Sequence, residues 1–180
     1  IKRGSDSEIA RMIKLTTTCA IRRSKVLVVL MAGVFGIFTL VNNYTDYTAY
    51  YEYIGDILSM STTEGNESRR YRAVKSKLFH HRFYWTIITL ETIFTLCCLV
   101  GTYQLYRKLT ASHKEFRGAK KMAVVGLTTA ITVYYVMYII ILNEWFDMEY
   151  STNRNAFDWA RSNLEYMFPA LIYLTLENEN

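Results

Sequence analysis

Apolar residues along this chain are gathered into long blocks, with the polar and charged residues gathered between them. A helix rises about 1.5 Å per residue, so crossing a bilayer core takes about 20 largely apolar residues. Four blocks approach that length. The first, about 26–41, reads VLVVLMAGVFGIFTLV and is closed by Asn42 and Asn43. The second, about 83–106, opens FYWTIITL and contains one acid, Glu91. The third, about 122–142, carries no charge. The fourth, about 157–176, has Asp158, Arg161 and Glu165 in its first half and is apolar around Pro169 in its second, so a soluble amphipathic helix is its competing reading. The pattern predicts an all-α protein: a four-transmembrane-helix bundle at 26–176, preceded by a basic juxtamembrane segment at 1–25 and followed by a tail at 177–180.

The long connection after the first block has its own pattern. Tyr44, Tyr47, Tyr50, Tyr51 and Tyr53 lead into Ile54, Ile57, Leu58 and Met60. Tyrosine can keep its ring in hydrocarbon and its hydroxyl in water, so an amphipathic helix at the headgroup level is expected here. Turn residues follow at 61–66, and Arg70 to Phe79 reads as a second short, basic helix leading into the membrane.

Composition changes this picture little. One proline and eight glycines leave small room for linkers or disordered tracts. Cys19, Cys97 and Cys98 match neither a disulfide framework nor a zinc spacing and read as free packing residues. The net charge of +5 is accounted for by loops. Lys2, Arg3, Arg11, Lys14, Arg22, Arg23 and Lys25 precede the first block. Arg107, Lys108, Lys114, Arg117, Lys120 and Lys121 lie between the second and third. Glu144, Asp147 and Glu149 face only Arg154 between the third and fourth. The positive-inside rule then places both termini on the cytoplasmic or matrix side. Arg69, Arg70, Arg72, Lys75, Lys77 and Arg82 run against the rule, nearly balanced by acids in the same loop. No basic stripe calls for nucleic acid.

Ionisable residues inside a membrane are where function is first sought. Glu91 lies eight positions after Phe83, roughly 12 Å into its span. Arg161 and Glu165 lie at matching depth in a span running the same way, so Glu91, Arg161 and Glu165 are expected to form a structural intramembrane charge cluster, with a proton or ion relay as the alternative. His80, His81 and Trp85 at the mouth of the second span are weak candidates for holding haem or quinone. Adjacent helical residues point about 100° apart, so the two histidines cannot easily grip one ion, and interfacial anchoring is the blander reading. No catalytic motif, phosphate loop, dinucleotide fingerprint or metal-ligand spacing is present. Gly33 with Gly36, and Gly126 with Ala130, are small pairs that allow close helix approach. The glycosylation-like triplets at Asn43 and Asn66 are read as chance.

The stretches VNNYTDY at 41–47, LSMSTTEGN at 58–66, LFHHRFYW at 78–85, the glutamate of LET at 90–92 and NEWFDMEYS at 143–151 carry a resemblance, as does the arginine of RYRAV. Together, over about 24–176, the chain resembles a bacterial family of predicted small integral membrane proteins catalogued as a domain of unknown function. The resemblance implies a four-helix inner-membrane protein and brings no reaction with it. STTEGN lacks a proline associated with that turn in the family, and EYSTNRN departs from a more tryptophan-rich pattern.

These readings lead to a non-catalytic structural or accessory subunit of a larger inner-membrane complex, of the respiratory chain, with other membrane subunits and the bilayer as partners and bound phospholipid expected. A small quinone- or haem-binding membrane enzyme or electron carrier is the alternative, and a proton or ion pathway through Glu91 another. The departures from the family pattern, the single proline and the opening at Ile1 favour a mitochondrial over a bacterial inner membrane.

Overall fold

The computed structural model describes residues 2–152 and 155–178, with side chains from Thr17 onward. Lys2, Arg3, Arg11 and Lys14 of the basic segment, Arg154, and the end of the tail lie outside the described side chains. Helix α1 runs Lys2–Thr45 and α2 Tyr47–Leu58. A 3-10 turn at Glu67–Arg72 and a short extended stretch lead to α3, Lys77–Arg107. A short α4, His113–Ala119, passes at Lys120 into α5, which begins at Lys121 and continues to Trp145. After a 3-10 turn at Met148–Tyr150, α6 spans Asn155–Thr175. No strand occurs among the described residues, and one isolated bridge joins Thr63 to Ser151.

Among the described residues, three helical segments are long and apolar enough to cross a membrane: Thr17–Thr45, Lys77–Arg107 and His113–Trp145. Their surfaces fit lipid. On α1, Leu27, Met31, Val34, Phe38 and Val41 are exposed, so the helix is apolar on the outside as well as the inside. Polar side chains along α3 satisfy themselves locally. Thr86, Thr89, Thr92, Thr95 and Thr102 each donate to the carbonyl four residues back, as a segment surrounded by hydrocarbon requires. This is an integral membrane protein with several apolar helices.

The helices pack in an up-down bundle. Gly33 of α1 meets Leu99 of α3, and Gly36 meets Thr95. Gly101 of α3 meets Ala123 of α5, and Gly126 meets Cys98. Later α1 residues thus pair with earlier α3 residues, and the same holds between α3 and α5, so each helix is antiparallel to its neighbour. Helix α6 closes the bundle against α5 and α1. Tyr138 meets Trp159 with ring centroids 5.6 Å apart, Ser24 meets Tyr173 at 2.5 Å, and the Tyr166 hydroxyl donates to the Val28 carbonyl at 2.8 Å. Pro169 lies inside α6, where it removes one main-chain donor.

The inward stripes have coiled-coil spacing. On α1 the buried positions include Arg22, Lys25, Val29, Ala32, Gly36, Thr39 and Asn43, with Val26 and Gly33 beside them, and on α3 they include Tyr84, Ile87, Glu91, Phe94, Cys98, Gly101 and Leu105. Alternating steps of three and four keep one seam facing the partner. In α5 the spacing changes. Ala123, Gly126, Leu127 and Ala130 are buried at steps of three and four up to Ile131, but from Thr132 to Trp145 the helix winds as a π-helix. There Val133, Tyr134, Met137, Tyr138, Leu142 and Asn143 are buried, at steps of four and five between like positions. The wider winding keeps Tyr134 and Tyr138 both turned inward.

The two ends of the bundle differ in chemistry. At one end Arg22 donates to the carbonyls of Leu109 at 3.1 Å and Ala111 at 2.6 Å. Lys25 and Lys120 both donate to the Leu176 carbonyl, beyond the last turn of α6. Cations at a helix C-terminus answer its exposed carbonyls and its dipole. This basic end brings α1 at Arg22–Lys25, the α3–α4 turn and the end of α6 together. At the other end the two long loops dock on each other. The Glu64 amide donates to the Tyr150 carbonyl and the Thr152 amide to the Thr62 carbonyl. Arg69 pairs with Asp147 at 2.7 Å, Arg70 with Glu67 at 2.9 Å, and Arg72 lies 4.6 Å over the Trp145 ring. Three of the arginines that ran against the positive-inside pattern are therefore engaged locally. The expected basic helix over Arg70–Phe79 is not formed: the chain is extended after Arg72, and α3 starts at Lys77, where Ser76 accepts from the Phe79 amide.

The close approach at Gly36 yields a stability prediction. A Cβ there would overlap the Thr95 hydroxyl oxygen and lie 2.7 Å from Phe94. Gly36→Ala is expected to lower stability in detergent by about 1–3 kcal/mol through overpacking. Gly118→Ala, where nothing lies within 4 Å, is expected to leave stability unchanged or slightly raised. Denaturation of both variants side by side measures the difference.

Candidate functional site

Glu91 is carried into the bundle interior by the α3 stripe and is fully buried. Its partner comes from the last turn of α1. The Asn43 side-chain amide donates to Glu91 Oε2 at 2.5 Å, and the Tyr84 hydroxyl donates to Asn43 Oδ1 at 3.1 Å. The chain of donors thus runs Tyr84 to Asn43 to Glu91. The second carboxyl oxygen, Oε1, is buried without a hydrogen-bond partner. A few other buried atoms also lack one, Asp147 Oδ2 among them, but Glu91 lies where the bundle leaves open space.

That place is a cavity of about 530 Å³. Glu91, Asn43, Tyr84 and Tyr138 lie at its buried end, and the partly or largely exposed Phe38, Asn42, Tyr50 and Asn155 lie toward its mouth. Helix α2 covers it through Ala49, Tyr50, Tyr53 and Ile54, and α6 contributes Trp159. Trp159 is wedged among Phe35, Tyr134 and Tyr138, with ring centroids 6.4, 5.3 and 5.6 Å away. The Tyr53 hydroxyl accepts from the Ala156 amide at 3.1 Å, tying α2 to the start of α6. Burial pushes the Tyr53 hydroxyl above its usual titration range, against the opposing effect of that amide.

The expected charge cluster does not form. Arg161 pairs with Glu165 at 3.6 Å, and both side chains are about two-thirds exposed. The inner face of α6 is Ala160, Leu164, Met167, Ala170 and Leu174, small or apolar throughout. Arg161 and Glu165 each follow one of these residues and are therefore turned outward by about 100°. Depth along the helices says nothing about that rotation, and Glu91 takes Asn43 instead.

The histidines are both engaged. The His80 ring donates through Nε2 to the Val74 carbonyl at 2.6 Å, and its Nδ1 faces Gly55 of α2. His81 Nε2 accepts from Trp85 Nε1 at 3.1 Å. Its Nδ1 lies 2.9 Å from the Tyr47 hydroxyl, as donor in the neutral ring. Tyr47, Tyr51, His81 and Trp85 form one aromatic cluster with centroid spacings near 6 Å. These rings fasten α2 to the first turns of α3. No cluster of three or more metal-ligating residues occurs among the described residues.

Sequence reasoning missed Asn43, which it treated as a helix terminator within a glycosylation-like triplet. The signal was present: the α1 stripe continued past Gly36 and Thr39 lands on Asn43. Asn43→Leu is expected to cost about 1–3 kcal/mol by leaving Tyr84 and Glu91 without their partner, whereas Arg161→Leu should change stability by less than about 1 kcal/mol. Double-mutant cycles in detergent should show coupling between Asn43 and Glu91 and additivity within about 0.5 kcal/mol between Glu91 and Arg161.

No curated protein and no solved structure matches the chain. A family pattern described as predicted small integral membrane protein (DUF2165) matches residues 21–177. The match takes in α1 from Ile21 onward, every later helix, both docked loops and the cavity. The chain belongs to this family of small integral membrane proteins, whose shared domain is of unknown function.

Proposed function

We propose that the protein is a four-span inner-membrane protein without catalytic chemistry of its own, which holds a small amphiphile in the α1–α2–α6 cavity as an accessory component of a larger membrane assembly. The observation that carries this reading is the open carboxyl oxygen of Glu91 at the end of an aromatic cavity of ligand size.

Helix α6 supports the fourth span. It has 21 residues, runs antiparallel to α1, and ends against Lys25 and Lys120 at the basic end. Its outward charges, Arg161 and Glu165, can reach a headgroup layer by extending along the helix. Helix α2, with its tyrosines stacked on the start of α3, suits the headgroup level. The apolar exterior of α1 is a surface for lipid or for neighbouring subunits, and an inner membrane of bacterial or mitochondrial type, with the basic end inside, accommodates all of these features. A respiratory-chain assembly is the kind of complex in which such a subunit would serve.

Two measurements test this. In a background lacking Cys19, Cys97 and Cys98, single cysteines at Ser112 and Thr152 should be labelled from opposite faces of the membrane, and one at Glu177 from the face of Ser112. Labelling of Glu177 from the face of Thr152 would remove the fourth span. Native mass spectrometry after mild-detergent purification should retain a small molecule that is lost from a Glu91→Leu variant, together with partner chains at fixed stoichiometry. A bare, monomeric protein would overturn the reading.

A further inference from the structure

We propose that the cavity is selective for a lipophilic organic cation, an amine or quaternary ammonium bearing apolar groups, with Glu91 as its counter-charge. This rests on the reading of the cavity as an amphiphile site and specifies the ligand's chemistry.

Three observations lead to it. First, the walls are aromatic. Phe35, Phe38, Tyr50, Tyr53, Tyr138 and Trp159 come from four different helices and surround one space. Ring faces carry negative potential and attract cations lying within about 6 Å of their centroids, most strongly where water is excluded. Second, the charge in the lining has one sign. Among the described residues Glu91 supplies its only carboxyl group, and no lysine, arginine or histidine lines it. A phosphate or carboxylate ligand would find no counter-charge among these residues and would lie against a carboxyl group.

Third, the hydrogen bonds point one way. Tyr84 donates to Asn43 and Asn43 donates to Glu91, so the carboxyl group that lines the cavity keeps one oxygen, Oε1, without a protein donor, and in the ionised form that oxygen can only accept. A ligand that recognises an acceptor brings a donor or a positive charge. A quinone brings carbonyl acceptors, for which this arrangement is poorly suited. An ammonium group supplies a charge partner to the buried carboxylate, and such pairing is what makes a charge tolerable in an apolar interior. The cavity volume of about 530 Å³ leaves room for a head of this kind and a short apolar body.

The test uses benzyltrimethylammonium and its neutral carbon isostere, neopentylbenzene, titrated calorimetrically into the full chain in an uncharged maltoside detergent. The expected result is at least about tenfold tighter binding of the cation, with the preference abolished in Glu91→Gln and the affinity for the isostere little changed. Should Glu91→Gln fail to fold, Trp159→Leu gives a second reading, because it should weaken the cation more than the isostere. Equal affinity of the wild-type protein for both probes, or tighter binding of the isostere, would overturn cation selectivity while leaving the cavity as an amphiphile site. Binding of neither probe would overturn both.

Discussion

At Gly36 the absence of a side chain lets α1 lie directly against Thr95 and Phe94 of α3, and the rest of the loop end depends on that spacing. Two turns further along α1, Asn43 reaches across the same seam to a carboxyl oxygen of Glu91 at 2.5 Å. Were the helices held apart by even one methyl group, the amide would have to stretch or rotate to keep this bond. The seam therefore does two things with one geometry. It supplies dispersion contact over its length, and it fixes which of the two carboxyl oxygens is occupied and which is left open. In hydrocarbon, where helix association draws little from the hydrophobic effect, close small-residue contact and interhelical hydrogen bonds are the forces available.

The opposite faces of α3 show the same economy. Gly101 and Gly126 bring α3 and α5 together near the basic end, while further along α5 the π-wound segment turns Tyr134 and Tyr138 toward Phe94 and Trp159. Close backbone approach at one end and bulky aromatic packing at the other make the bundle tight near Cys98 and hollow near Glu91. The cavity is thus a consequence of where small and large residues fall along helices that otherwise share one packing mode.

Much of this architecture was legible in the sequence. The helices were, because block length and charge segregation are strong signals; so were the close contacts at Gly33, Gly36 and Gly126. Helix ends were less so: the second block continued back to Lys77 because Ser76 caps it, and the third was preceded by a capped turn at Ser112 and Glu115. The cluster of Glu91 with Arg161 and Glu165 failed for a definite reason. Depth follows from residue number, but facing direction depends on which stripe of α6 is apolar, and Ala160, Leu164 and Met167 claim the inner side. Conversely, the 3.5-residue stripe of α1 was sufficient to turn Asn43 inward. The mutual docking of the loops at 58–72 and 143–152 could not be read from either loop alone, since its main-chain bonds and side-chain contacts join segments distant in sequence.

That docking also bears on traffic. The stretch from Thr62 to Glu64 is stitched to Tyr150–Thr152, and α2 covers the cavity through Ala49, Tyr50, Tyr53 and Ile54. Its more exposed lining residues are Phe38, Asn42, Tyr50 and Asn155, and Phe38 lies within the apolar span of α1. For an amphiphile entering the proposed site past Phe38, the concentration that governs occupancy is its concentration in lipid. Hydrophobicity would act before any contact is made, by partitioning, so that two molecules with equal intrinsic affinity would differ in occupancy by the ratio of their solubilities in the membrane.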